Sequence, residues 1–444
     1  MTENLTYSKT IPVRENVDVF IAGGGPTGIA AAVVAARQGK RVFLAETQNC
    51  LGGMGTSGEV PAFMTFGDGV NFLAGGIGKE VYNRLNATRE GVMKNYTTCI
   101  PMEDLKRLYD QMLTEAKVDF TFHTKLVDVI AKGGRVEAAI CNAKSGFFAV
   151  KAKIYIDATG DGNLAVAAGA SYETGDEDGR YMPGTLCSLW ADIDWDRFNE
   201  FAASMPQAVR KVLVKAFEDG VFTVKDPHHP GMWRVGKNMG GGNFGHAYDV
   251  DPDDERSLTK HLVQARQALL EFRRFYREYV PGCEKMELVS SGSLMGIREG
   301  RRIVGDYMLK ADDFVSRAIF EDEIGRYCYP IDIHPKHPDP ETYAKFYKEF
   351  SQTYRYAAGE SYGIPYRALI PKGLDNVLVA GRCMSCDNKM AGSLRVMPGC
   401  FITGQAAGMA ATIATELNTD TRGVPVNMLL ANLAQIGAFL PNRK

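Results

Sequence analysis

The sequence has no surplus of charge: 51 Lys and Arg against 53 Asp and Glu leave a formal net charge of -2. Nothing in that balance favours a polyanionic partner, so neither nucleic acid nor an anionic membrane surface is expected. Long hydrophobic runs are also missing. The stretch from Phe20 to Ala36 is broken by glycines and Pro26, which suits a buried strand and helix and not a membrane span. Ahead of Val17 there is no basic region, apolar core and cleavage site in series, so no secretory leader is expected. The 9 cysteines are odd in number and scattered. They fit reduced thiols in a cytoplasmic compartment better than a disulfide scaffold. Cys383 and Cys386 have no second Cys-x-x-Cys to complete a metal site. The acidic run Asp249 to Glu255 lacks the glycine and terminal glutamate of a calcium loop, and simply favours the start of the next helix. No metal site is expected, and no internal repeat is evident.

Glycine, by contrast, is abundant, with 47 residues in the chain and local clusters at 23–28, 52–58, 75–78 and 240–245. At the first cluster, the apolar run Val17 to Ala22 enters Gly23-Gly24-Gly25-Pro26-Thr27-Gly28 and then a small-residue run to Ala36. This order predicts a buried parallel strand, a tight turn and a helix. Gly23 permits the turn, Gly25 lets a pyrophosphate approach the backbone, and Gly28 lets the helix sit against the sheet. The free N–H groups and dipole of the helix start favour phosphate there. A second strand, Arg41 to Ala45, ends at Glu46, whose carboxylate suits the hydroxyls of an adenosine ribose and repels a 2′-phosphate.

At 444 residues the chain exceeds the usual size of one core, so two joined domains are expected. Glu103 to Ala116 has helical spacing. Val118 to Ile130 and Val136 to Cys141 read as strands joined through Gly133-Gly134. Phe147 to Ile156 runs as a strand into Asp157-Ala158-Thr159-Gly160-Asp161-Gly162. From about Ser171 the pattern changes, with long helical stretches over Asp194 to Glu218 and Asp253 to Tyr279, and others within Arg301 to Phe320 and Glu341 to Ala358. Asn376 to Gly381 then restores a buried strand, followed by the small-residue helix Gly404 to Ala411. A strand, glycine turn and small helix at both ends favour FAD over NAD, because its length needs distant segments to close around the flavin. The expected fold class is therefore α/β: a Rossmann-like FAD-binding domain of the three-layer ββα type, with an inserted α+β substrate or cap domain. The expected boundaries are 1–170 and 375–444 for the FAD domain and 171–374 for the cap, with some cap segments returning to the FAD site.

Five segments carry a family resemblance: GGGPTGIAAAVVAARQGKRVFLAE, LGGMGTSG, DATGDGNLAVAAGA, GIREGRRIVGDYML and NVLVAGRCMSCDNKMAGSLRVMPGCFITGQAAGMAA. Together they resemble the FAD-dependent oxidoreductase family whose members often carry the label xanthan lyase. The lyase label has no support in these residues. The resemblance implies FAD, redox chemistry and a glutathione-reductase-like FAD domain. It also implies that Gly23, Gly25, Pro26, Thr27, Gly28 and Glu46 meet the adenosine and pyrophosphate. Gly52, Gly53, Met54, Val127, Thr159, Gly160 and Asp161 are implied on the same grounds. Gly381, Arg382, Arg395, Pro398 and Gly399 complete the implied cofactor set, with the start of the Gly404 to Gly408 helix near the flavin pyrimidine. Cys383-Met384-Ser385-Cys386 is atypical after Gly381 and raises a disulfide facing the flavin.

The chemistry beyond the cofactor needs one group to handle a proton. His246, after the glycine run Gly240 to Gly245, is the candidate base in a loop of unusual backbone freedom. Arg298 and Arg395 are the candidate groups for orienting substrate and stabilising charge. If Gly296 to Arg302 is helical, Arg298 shares a face with Arg301 or Arg302. His334 and His337, in a proline-rich segment, read as a surface loop. Tyr327, Tyr329, Tyr362 and Tyr366 read as core aromatics. The function expected is hydride transfer between a small polar substrate, of the carbohydrate or polyol alcohol class, and flavin N5, with a separate electron acceptor. Two alternatives stay open: a dithiol relay through Cys383 and Cys386, and a redox-sensing flavoprotein without turnover. A homo-oligomer is compatible with all three.

Overall fold

Val19, Phe20, Ile21 and Ala22 are buried on both faces, as a central parallel strand requires. In the computed structural model, which describes residues 4–228 and 230–443, they form the end of β1 (Val13–Ala22). Met1 to Glu3 and Lys444, counted in the expected FAD domain, lie outside the described residues. β1 pairs in parallel with β2 (Val42–Ala45), Ile21 opposite Leu44, and with β6 (Gly146–Asp157), Ile21 opposite Ile156. The seven-stranded sheet has the order β3-β2-β1-β6-β5-β4, with β3 at Asp119–Thr121, β4 at Lys125–Lys132 and β5 at Arg135–Ala143. The first half of β6 is antiparallel to β5. Its second half takes the C-terminal strand Val377–Val379 in parallel, Leu378 opposite Ile156. A strand more than 350 residues from β1 in sequence thus returns to the same sheet edge.

The turn after β1 leads into α1 (Pro26–Arg37), with proline at its first position and no side chain capping it. α1 packs along the helix Met397–Leu417 through a seam of small residues. A Cβ on Gly404 would stand 2.3 Å from the Thr27 carbonyl oxygen, and one on Gly408 2.4 Å from that of Ala31. This approach explains why the Gly404-to-Ala411 run contains so few large side chains. Among the described residues no single helix is long and apolar enough to cross a membrane, and the residues of this helix from Met397 to Thr415 are buried against the sheet domain.

The cap carries its own four-stranded antiparallel sheet. Its strands are β7 (Ser188–Ala191), β8 (Gly231–Arg234), β9 (Gly240–Asn243) and β10 (Glu287–Ser291), in the order β8-β9-β7-β10. The helix Glu255–Tyr279 covers it, and Trp190, Phe244, Phe272, Phe275 and Tyr276 form a separate core. Residues between Leu309 and Ile370 instead join the hydrophobic cluster of the nucleotide-binding sheet.

Several local expectations are corrected. Gly240 to Asn243 is a strand, not a loop. Its glycines make room for close neighbours, since a Cβ on Gly241 would lie 2.2 Å from Pro61. The stretch Asp194 to Glu218 breaks into Trp195–Ser204 and Ala208–Glu218, where Pro206 and the left-handed Gln207 (φ 56°) end the first helix. Val118 to Ile130 is two strands separated by a turn at His123 (φ 50°). Gly296 to Arg302 is not helical: Gly296 bridges Thr185 in antiparallel fashion, so Arg298, Arg301 and Arg302 diverge. The helices Met102–Glu115 and Glu255–Tyr279 and the β4–β5 hairpin lie where the pattern places them, and Asp254 caps the longer helix.

Candidate active site

At the carboxyl end of β1, Gly23 (φ 97°) turns the chain so tightly that a Cβ there would meet the Ala158 carbonyl oxygen at 2.5 Å. Gly28 is equally constrained, its Cβ position lying 1.9 Å from the Gly23 carbonyl oxygen. Gly25 differs: nothing lies within 4 Å of its Cβ position. The turn is therefore packed on its inner side and open at Gly25, at the uncapped start of α1. Glu46 ends up buried, with Oε2 accepting the Gly24 N–H at 2.6 Å and Oε1 accepting the Gln48 N–H at 2.7 Å. Burial raises its pKa against those hydrogen bonds.

The other implied cofactor residues gather around this turn and along the same sheet edge. Gly52 (φ 108°) and Gly53 (φ 51°) cross beside Gly25, a Cβ on Gly53 lying 3.5 Å from the Gly25 Cα. Thr159 donates its hydroxyl to buried Asp157 at 2.7 Å. Arg382 holds Asp161 at 2.6 Å, the Gly160 carbonyl at 2.9 Å and the Ile297 carbonyl at 2.6 Å. A Cβ on Gly381 would strike the Thr27 hydroxyl at 2.2 Å. Pro398 and Gly399 lie in the uncapped first turn of the Met397–Leu417 helix. Val127 is an exposed residue at a bulge in β4, close after the turn in which the His123 and Thr124 N–H groups bond the Gln48 and Glu46 carbonyls.

A cavity of about 420 Å³ opens between this edge and the cap. Met54, Arg382, Val396 and Met397 form its sheet-side wall. His228, His334, Asp332, Arg298 and Arg395 also line it, and Trp233, Phe346, Tyr347 and Phe350 supply aromatic surface. Of the core-type tyrosines, only Tyr329 lines the cavity; Tyr327, Tyr362 and Tyr366 are in the main core.

His246 is not on that wall. It sits one ring behind, on the short strand His246–Ala247 that pairs with Gly184–Thr185. Its Nδ1 lies 3.0 Å from Asp226 Oδ2 and 2.9 Å from the Tyr343 hydroxyl, and its Nε2 lies 3.1 Å from His334 Nδ1. His334 Nε2 in turn lies 3.2 Å from Asp332 Oδ1, and Asp332 Oδ2 accepts from Arg395 Nη2 at 2.9 Å. His228 completes the cluster, with Nδ1 3.3 Å from the Tyr347 hydroxyl. The proline-rich segment is thus no surface loop at His334. Its buried carboxylate and imidazole find partners in the cavity wall, while His337 stays exposed beside Arg180.

Burial, then the neighbouring His334 and His246, pull the His228 pKa down to about 2. Burial and the Arg298 cation take His334 to about 3. His246 is lowered mainly by burial, against the pull of Asp226. Burial would raise both carboxylates, but the facing histidines and their hydrogen bonds hold Asp226 and Asp332 well below the usual range. The ring nitrogens are therefore neutral near pH 7 and the acids ionised.

Arg298 reaches the wall with Nη1 on the Pro183 carbonyl at 2.5 Å and the Thr185 hydroxyl at 3.0 Å. Arg301 and Arg302 point elsewhere, to the Asp161 and Gly175 carbonyls. Arg395 Nε is buried without a hydrogen-bond partner among the described residues, a donor still open to a ligand. Cys383 and Cys386 are both buried free thiols off the cavity. Burial raises the first well above, and the second to about 12 against, the usual thiol value, so neither is a thiolate near neutrality.

The family model described as FAD dependent oxidoreductase matches residues 18–433. The chain belongs to that family. No curated protein matches it. Solved structures similar to it include a flavin-dependent brominase, Bmp2 (12% identity, 95% of this chain and 83% of that one, TM-score 0.48). Another is p-nitrophenol 4-monooxygenase PnpA from Pseudomonas putida (12% identity, 96% and 91%, TM-score 0.46). A third is a geranylgeranyl bacteriochlorophyll reductase-like protein from Thermoplasma acidophilum (13% identity, 95% and 83%, TM-score 0.45). Membership makes FAD the cofactor and flavin-dependent redox chemistry the activity class. The residues fit the group: an open seat at Gly25, two uncapped helix starts, and a free guanidinium donor at the cavity.

Proposed function

We propose that this enzyme oxidises an alcohol of a small polyhydroxylated molecule, a carbohydrate or polyol, in the cavity between sheet edge and cap. When bound, FAD accepts the hydride at flavin N5. The reading rests on one observation: the cavity sets aromatic faces against paired cations and a histidine–carboxylate cluster. Trp233, Tyr347 and Phe350 offer apolar surface to the C–H face of a sugar. Arg298 and Arg395 donate to its hydroxyls and favour negative charge on the oxygen that loses its proton. That proton passes to water in the open cavity beside the wall formed by His228 and His334, and His246, clamped by Asp226 and Tyr343, is a positioning residue behind them. The Gly23–Gly28 turn would hold the pyrophosphate of the cofactor, and the Met397–Leu417 helix start would lie toward its flavin end. The relay through Cys383 and Cys386 draws no support from two buried thiols that miss the cavity.

Anaerobic mixing of the flavin-loaded enzyme with a panel of sugars, polyols, amino acids and hydroxy acids tests the substrate class. Bleaching of the flavin band by a sugar or polyol is expected. Bleaching by none of them, or only by amino acids, would overturn it.

A further inference from the structure

His228, His246 and His334 come from three separate segments, yet each offers a ring nitrogen within 4.8 Å of the others. Their outer nitrogens already have partners. Asp226 accepts the backbone N–H of His228 at 2.9 Å and the Tyr248 hydroxyl at 2.8 Å, so it is an ionised acceptor and the His246 Nδ1 beside it carries the hydrogen. Asp332 accepts from Arg395 and, at 3.2 Å, from the Tyr329 hydroxyl, so His334 Nε2 likewise carries the hydrogen. Both rings then present bare lone pairs, His246 Nε2 and His334 Nδ1, to each other at 3.1 Å. Two rings facing each other at that distance need a shared proton or a shared metal cation between or beside them.

We propose that His228, His246 and His334 bind one divalent transition-metal ion, of which Zn²⁺ is the type, with an open position toward the cavity. Neutral imidazole is a common ligand for such ions, and three histidines with one open position is an established arrangement. Tetrahedral Zn–N bonds place ligand nitrogens about 3.4 Å apart, close to the His246–His334 separation. The ligand nitrogen of the third ring lies within 4.8 Å of the other two. Ligating histidines normally donate their other N–H to a carboxylate or similar acceptor, and Asp226 and Asp332 occupy that position for two of the three. Arg298 and Arg395 oppose a cation here, while Asp226 and Asp332 offset them charge for charge. His228 and His334 line the cavity, so the fourth position faces the substrate oxygen of the function proposed above, on which this part of the inference rests. The absence of any local ligand motif explains why the sequence gives no expectation of a metal.

Full-length, tag-free, flavin-loaded protein, stripped with a chelator and dialysed, should take up one equivalent of Zn²⁺ per chain by calorimetry. Co²⁺ should give tetrahedral d–d absorption to the red of the flavin bands. His228→Ala, at the least buried ring, should weaken Zn²⁺ by at least a hundredfold, and Asp226→Asn by roughly ten- to a hundredfold. The flavin spectrum and melting temperature report whether each variant is folded. No saturable Zn²⁺ or Co²⁺ uptake by the folded wild type, or uptake unaltered in folded His228→Ala, would overturn the site. If a polyol bleaches the flavin equally fast in stripped and Zn²⁺-loaded protein, the open position does not serve the cavity and the substrate reading stands alone. If metal binds but no polyol bleaches the flavin, the metal site stands and the substrate reading falls.

Discussion

Replacing Gly25 with alanine separates cofactor binding from folding. Gly25 has φ -71° and ψ -178°, a conformation alanine adopts without strain, and its Cβ would meet nothing within 4 Å. The folded protein therefore loses nothing, and the unfolded chain loses freedom, for a gain of about 0.4–1 kcal/mol at most. The vacant side is where a pyrophosphate oxygen would meet the N–H groups of the helix start. A methyl there removes or lengthens one charge-assisted hydrogen bond, costing about 1.5–3 kcal/mol. At about 1.4 kcal/mol per tenfold, FAD affinity should fall roughly ten- to a hundredfold. Urea unfolding of the apoprotein and quenching of FAD fluorescence on titration measure the two quantities. Gly28→Ala is the control: its Cβ falls 1.9 Å from the Gly23 carbonyl oxygen, so both stability and affinity should drop. Wild-type FAD affinity in folded Gly25→Ala would refute the placement of the pyrophosphate.

Gly404→Ala adds a helix-favouring residue worth about 1 kcal/mol but drives a methyl into the Thr27 carbonyl, an overpacking cost of about 1–3 kcal/mol. Urea unfolding should show net destabilisation, and a stabilised variant would show that the seam yields freely. Cys383→Ala/Cys386→Ala should leave substrate-driven flavin bleaching within about twofold of wild type once folding is verified, because the buried thiols stand off the cavity. Loss of bleaching with FAD still bound would revive the relay. Burial raises the pKa of Glu46 in the folded state, so its contribution to apoprotein stability is full below the unfolded carboxylate value of 4.5 and is lost as pH rises through the folded value. The stability of wild type relative to Glu46→Gln should therefore fall as pH rises above 4.5 in urea titrations. A difference independent of pH would mean Glu46 is not held out of water. Arg395→Lys keeps the charge but loses the forked donor whose Nε is unpartnered, and should slow flavin bleaching more than it weakens FAD. Equal losses in both would place Arg395 on the cofactor alone.

The nucleotide-binding half was legible because its signals are local. Gly23, Gly25 and Gly28 each do a different job within one turn, and the β1 run is hydrophobic on both faces, so strand, turn and helix are written in consecutive residues. The buried strand at Val377–Val379 was also legible as a short apolar run before Gly381, but its pairing with β6 was not. The cap was less so. Glycine is ambiguous: at Gly240 to Asn243 it signals close packing against Pro61 and Trp190, where free rotation was the natural inference. Helical spacing was legible within Asp194 to Glu218, but the break at Pro206 between its two helices was not.

The polar wall was hardest to read because no part of it is complete in one segment. Asp226-x-His228 and Asp332-x-His334 share a spacing that puts acid and imidazole on one side of an extended chain. That repeated pair is the signal the proline-rich surroundings of His334 obscured. Only His334 uses the acid of its own pair. Asp226 reaches across to His246 and gives His228 a backbone acceptor instead. Such an exchange depends on the cap sheet bringing β8, β9 and the His246 strand beside the Asp332 segment, which no local pattern encodes. The consequence is functional. His246, chosen on sequence for its glycine neighbours, is the most enclosed member of the trio and can act only through the two rings in front of it. The residues that line the cavity include those which prolines and acids had marked as loop, so the cap's fold, and not any single motif, assembles this wall.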